Sequence, residues 1–279
     1  VVHIIAISGM HLGLIYVMLV FLFSKIPGIN KSKWLQVILI LSCLWLFSLL
    51  TGGSASVLRS AVMFSFITVG RTFFKESSIF NSLAASAFIM LCINPYYLWD
   101  VGFQLSYLAV VGIVIFQKPI YNLIYIKNKY VDYVWKMIAV TTAAQVLTFP
   151  VCIYYFHQFP VLFLLTNLVA VPLSTGILYA SIFLVAFSWV PYVGEYAGKV
   201  AGWGLWLMNK FILWVNELPF AVWDKIPANV FTTWLLYATV IFIAAWLINK
   251  NKKMMQWALL FLTGFTRSST PAPAEKSTE

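Results

Sequence analysis

Apolar stretches long enough to cross a bilayer recur along the whole chain, and they limit its fold more than any other feature. They lie at about 3–24, 34–51, 57–73, 79–94, 100–117, 137–156, 161–188, 200–217 and 230–249, with a shorter run at 254–265. A transmembrane helix needs roughly 20 mostly apolar residues. The expected fold is all-α: a polytopic transmembrane helix bundle of about 9–10 membrane segments, one domain over residues 1–266. At 161–188, Pro172 either splits one long span or marks a re-entrant helix, so at least one Pro-broken segment is expected.

Composition agrees. Charged residues make up 9% of the 279 residues, against about 25% in soluble domains. Aromatic residues reach 18%, with 12 Trp and 14 Tyr, the side chains that collect at membrane interfaces. The chain opens on Val1 without a basic region or small-residue cleavage site. The first segment therefore reads as a span rather than a signal peptide, and the chain as a piece of a longer one. Residues 267–279 are too polar to bury anything and are expected to be disordered. Cys43, Cys92 and Cys152 sit in apolar runs without paired spacing and read as packing residues.

Basic residues orient the spans. Lys25, Lys31, Lys33, Arg71, Lys75, Lys118, Lys127, Lys129, Lys136, Lys250, Lys252 and Lys253 are twelve of the 18, and all fall in alternate loops. The intervening loops (51–56, 94–99, 157–160 and 218–229) contain only Lys225. The positive-inside rule then puts the basic loops in the cytoplasm and the start of the first span outside. The net charge of +10 is thus a topology signal and needs no nucleic-acid partner to explain it.

Polar side chains at membrane depth are the candidate functional residues, because each is costly in hydrocarbon. In "AISGMHLGL" (6–14), Ala6, Gly9 and Gly13 share one helical face, a small-xxx-small pattern that admits a close neighbour. Ser8 and His11 lie on roughly the opposite side, either bonded to another helix or lining a cavity. In "GGSASVLRS" (52–60), Gly52 and Gly53 suit a turn, and Ser54 or Ser56 can cap the next helix. Arg59, one turn further on, is a snorkelling arginine or a cation at an external mouth. In "WDVGFQLSY" (99–107), Asp100 reads as an N-cap or as the partner of Arg59, which this topology places at the same depth. Gln104 and Tyr107 follow on one face. "TTAAQVLTFP" (141–150) carries a Thr141/Gln145/Thr148 stripe before Pro150. In "TNLVAVPLST" (166–175), Asn167, Ser174 and Thr175 stand near the carbonyl of Leu168 that Pro172 would free.

Several chemistries find no support. The sequence has no phosphate-binding Gly-rich loop and no Cys/His/carboxylate cluster with metal spacing, so neither cofactor nor metal is expected. No span centre carries a carboxylate fit for a proton relay, which favours a passive pathway over an ion-coupled transporter. Ser8 and His11 could serve an intramembrane serine hydrolase, but Ala6 stands where rhomboid-type enzymes carry glycine, and no acidic residue is near.

Four stretches, "HIIAISGMHLGL", "LTGGSASVLRSAVM", "DVGFQLSYLAVVGI" and "NLVAVPLST", resemble, in order, the signature blocks of the ComEC competence family's membrane domain. "AAQVLTFP" and "YYFHQFP" fit between them, so the resemblance covers about 3–250. It implies a bacterial inner-membrane channel that admits single-stranded transforming DNA to the cytoplasm. It also implies work beside a DNA receptor and a cytoplasmic translocase, with lipid around it and a homo-oligomer among its possible states. No part of the chain resembles the family's small β-barrel or its metallo-β-lactamase-like domain, so no nuclease or other enzymatic activity is expected. On this reading Ser8, His11, Arg59, Gln104, Gln145 and Asn167 face the DNA path. Gly9, Gly13, Gly52, Gly53, Asp100, Pro150 and Pro172 shape or gate it. A packed assembly subunit with no path of its own is the remaining alternative.

Overall fold

The computed structural model describes residues 9–28, 32–73, 78–218, 221–224, 226–249 and 256–263. Ser8 and the polar segment 267–279 lie outside these residues. The expected spans are helices: α1 (Gly9–Lys25), α2 (Lys33–Leu50), α3 (Ala55–Phe73), α4 (Ile79–Ile93), α5 (Val101–Tyr121), α6 (Lys129–Phe156), α7 (Phe163–Phe187), α8 (Pro191–Glu217) and α9 (Val230–Asn249). Residues 256–263 are helical as well. The helices α2, α5, α6 and α7 are each long and apolar enough to cross a bilayer, and α1, α4 and Val230–Trp246 of α9 are shorter apolar helices. Large apolar side chains point outward along them: Phe21, Leu49, Phe88 and Val185 are 64–76% exposed. That is the pattern of helices whose solvent is lipid rather than water.

Local chemistry sets the helix ends. Ser32 caps α2 by accepting from the Leu35 amide at 3.4 Å. Gly52 and Gly53 both adopt left-handed backbone (φ 82° and 57°), with Gly53 N donating to Ser48 O and Gly52 N to Leu49 O. This is a Schellman ending, which only residues without a Cβ form without strain. Among the described residues neither Ser54 nor Ser56 supplies the expected side-chain cap of α3; the Ser54 carbonyl instead accepts from Val57 N and Leu58 N. A 3-10 turn, Pro95–Trp99, leads into α5 with Asn94 accepting from Tyr96 N at 3.0 Å.

The prolines break nothing. Both α6 and α7 run on through Pro150 and Pro172, so the expected split or re-entrant helix at 161–188 does not occur. In α7, Ser174 Oγ and Thr175 Oγ1 donate to the Val171 carbonyl at 3.0 and 2.7 Å, not to the Leu168 carbonyl as expected. Lipid offers a broken backbone no water to bond, so continuing the helix costs less than interrupting it.

The chain forms two compact units, one of Val1–Tyr107 with Val169–Trp214, the other of Leu108–Leu168 with Val215–Glu279. In the first unit α1, α2, α3 and α4 pack around Leu12, Leu44 and Val57, all fully buried. A second nucleus there joins Val62, Met90 and Phe103. In the second unit α5, α6 and α9 close on Phe116, Ile120, Ala139 and Ala143. Gly112 permits it: a Cβ there would lie 2.5 Å from the Ala143 carbonyl oxygen.

At one end of the second unit, two two-residue strands, β1 (Phe159–Pro160) and β2 (Val222–Trp223), pair antiparallel with Phe159 opposite Trp223. His157 ends α6 in left-handed backbone (φ 53°), and its carbonyl accepts from Ile226 N at 3.0 Å. The chain just after α6 and residues 222, 223 and 226 therefore lie at the same end of this unit.

Candidate functional site

In the first unit α1, α3 and the opening turns of α5, up to Tyr107, meet where α3 begins. Gly9 and Gly13 of α1 turn toward α3: a Cβ at Gly9 would collide with Ser60 Oγ and lie 2.7 Å from Arg59 Nη2, and one at Gly13 would lie 3.1 Å from the Phe64 ring. One turn further, Tyr16 stacks on Phe64 with centroids 4.9 Å apart. Positions i, i+4 and i+7 of α1 thus lie along Ser60 and Phe64 of α3, the close approach that small residues at this spacing allow. His11, two residues beyond Gly9, is half-buried and about 200° around the helix from it.

Arg59 is buried at this junction, 6% exposed. It does not snorkel, and no ion pair joins it to Asp100. The Asp100 carboxylate instead caps α5, accepting from Phe103 N at 2.6 Å. A cap three residues away orders little chain, whereas an ion pair with Arg59 would order two separate segments. The guanidinium lies 5.5 Å from the centre of the Tyr107 ring. Among the described residues it has no hydrogen-bond acceptor, and its Nε is fully enclosed. A desolvated cation–π contact is worth about 2 kcal/mol, while burying an ion costs several kcal/mol even after relaxation. The ring alone does not offset that cost.

Tyr107 is itself held in place. Ser86 Oγ donates to the Leu83 carbonyl at 2.8 Å and lies 3.0 Å from Tyr107 Oη. With its one proton committed to Leu83, Ser86 accepts, so Tyr107 donates to it. The ring is further packed against Phe103, centroids 4.5 Å apart. Ser60 is committed in the same way, donating to the Ser56 carbonyl at 2.9 Å.

The other predicted positions fall elsewhere. Gln104 donates to the Leu98 carbonyl at 2.8 Å and ties α5 to the turn before it. Gln145 and Asn167 belong to the second unit and are half-buried, on α6 and α7. Thr148, buried on α6, donates to the Ala144 carbonyl at 3.1 Å, and Tyr237 reaches the Leu147 carbonyl at 3.4 Å in the turn before Pro150. No group of three or more His, Cys, Asp or Glu side chains that could hold a metal is present among the described residues. Ser60 and Ser86 were not singled out by sequence. Both are serines inside apolar helices, and the only available signal was their place one helical turn or more from other small residues.

The chain matches the Competence protein family over residues 1–251. It is also similar to the ComE operon protein 3 of Bacillus subtilis (strain 168), 33% identical over 175 residues, which is 63% of this chain and 21% of that protein. The match thus spans about a fifth of the relative's length. No solved structure matches significantly. With its series of apolar helices and a family match over most of its length, the chain is a multi-pass membrane protein that belongs to the Competence protein family.

Proposed function

We propose that this chain is the membrane conduit that admits one strand of transforming DNA to the cytoplasm during natural competence. The observation that carries this reading is the meeting of three of the resemblance blocks in one place. Gly9 comes from the first block, Arg59 and Ser60 from the second, and Tyr107 from the third. A buried cation that has no anionic partner among the described residues, set among hydroxyls and aromatic rings, suits a polyanionic strand bound by charge and stacking. The uncharged polar side chains Gln104, Gln145 and Asn167 would hydrate passing phosphates without trapping them, as conduction requires.

In this reading the protein lies in the bacterial inner membrane with its basic loops in the cytoplasm. It receives the strand from a DNA receptor outside and hands it to a translocase within. The role is transport and not hydrolysis, so neither Ser8 nor His11 acts as a catalyst.

The test uses competent cells whose full-length protein carries this chain, supplied with fluorescent duplex DNA. Cells lacking the protein should bind DNA at the surface while no labelled strand reaches the cytoplasm. Undiminished cytoplasmic label in those cells would overturn the proposal.

A further inference from the structure

Three observations at the start of α3 point to an anionic ligand. The first is Arg59 itself: it is more than nine-tenths buried, its enclosed Nε has no hydrogen-bond partner, and among the described residues no side chain pairs with its charge. The second is the engagement of the described carboxylates of the first unit. In the first unit the described acidic residues are Asp100 and Glu195. Asp100 caps α5, and Glu195 is bound to Lys199 at 2.6 Å on the exposed side of α8. The third is that the neighbouring hydroxyls are neutral: Tyr107 gives its proton to Ser86, Ser86 to the Leu83 carbonyl and Ser60 to the Ser56 carbonyl, so none of them brings Arg59 a negative charge.

We infer that Arg59 is the binding site for a single phosphodiester of the DNA backbone, with Tyr107 as the platform that holds the guanidinium and Gly9 as the clearance that admits it. This rests on the conduit reading above and assigns the passing phosphate its contact. A phosphodiester carries one negative charge and two non-bridging oxygens, which match one guanidinium edge in charge and geometry. Tyr107 lies against the guanidinium, and the in-plane N–H groups remain the donors left to meet those oxygens. The site lies in the first turns of a 19-residue helix, whose positive end adds to the attraction. A single cation also gives a contact that holds a strand in register without retaining it.

The test is binding of single-stranded oligodeoxythymidylate to the full chain in phosphatidylcholine nanodiscs, followed across salt concentration. Arg59→Gln should weaken binding about tenfold or more and reduce the salt slope by about 0.7, the value for one phosphate contact on a single strand. Arg59→Lys keeps the charge and loses the fork, so it should fall between the two and keeps the test readable should the glutamine variant fail to fold. A strand with a neutral methylphosphonate backbone should bind wild type and Arg59→Gln alike. Equal affinity and equal slope for wild type and both variants would overturn the phosphate site while leaving the conduit reading intact. A wild-type chain that is folded yet binds no strand would bring down the conduit reading itself. If phosphatidylglycerol in the nanodisc abolishes the difference between wild type and Arg59→Gln, the occupant is a lipid headgroup and the proposal is wrong. Loss of that difference in millimolar inorganic phosphate, with the slope restored on dilution, would support a phosphate-selective site.

Discussion

Alanine at Gly112 tests the packing of the second unit. A Cβ there would lie 2.5 Å from the Ala143 carbonyl oxygen, where ordinary contact begins at 3.4 Å. The obstacle is backbone, so no rotamer change relieves it, and α5 and α6 must separate by about 0.9 Å in a close-packed interface. Overpacking of this kind costs about 1–3 kcal/mol, from which the better helix propensity of alanine recovers about 0.5–1 kcal/mol. With the middle of each range the net expectation is a loss of about 1 kcal/mol. At roughly 2–4 °C per kcal/mol for a chain of this order of size, that lowers the midpoint by about 2–4 °C. Gly176 supplies the control, because a Cβ there meets nothing within 4 Å. There the propensity term acts alone, so Gly176→Ala should hold or raise the midpoint. The assay is thermal unfolding of both variants in the same detergent. A Gly112→Ala protein as stable as Gly176→Ala would refute the α5–α6 approach.

Three further outcomes follow from named contacts. Asp100→Ala should cost about 1 kcal/mol by removing the α5 cap, whereas Asp100→Asn should cost little, since asparagine caps equally well; equal losses would point to an ion pair instead. Leucine at both Gln145 and Asn167 should lower transformation while the protein still reaches the membrane, and normal transformation would remove both from the path. In a chain with Cys43, Cys92 and Cys152 replaced, a cysteine at Gln158 should react with an impermeant maleimide in intact cells and one at Lys127 only after permeabilisation; the reverse pattern would invert the topology.

What could be read from sequence was local or periodic. The Asp100 cap, the Gly52–Gly53 turn and the shared face of Gly9 and Gly13 depend on residues within two turns of one another, and each is found where its spacing put it. The meeting of Arg59 with Tyr107 and of Gly112 with Ala143 depends on how separate helices pack, which no spacing within one helix encodes. Shared depth and opposite charge offered Arg59 to Asp100 as an alternative to the N-cap, and the cap, on a backbone amide three residues away, is the one that forms. The strands β1 and β2 escaped notice because two residues give no alternation to detect. At Pro172 the expectation was a span split or made re-entrant by the missing amide, whereas α7 runs on unbroken, since an interrupted backbone at membrane depth has no solvent to turn to.

On the proposed function, the strand passes the junction of α1, α3 and α5. A photoreactive residue replacing Tyr107 in the full-length protein, illuminated while competent cells take up labelled DNA, should form a covalent DNA adduct at position 107. One at the outward-facing position 88 should form none. Continued DNA entry with no adduct at 107, or with equal adducts at both positions, would contradict that path.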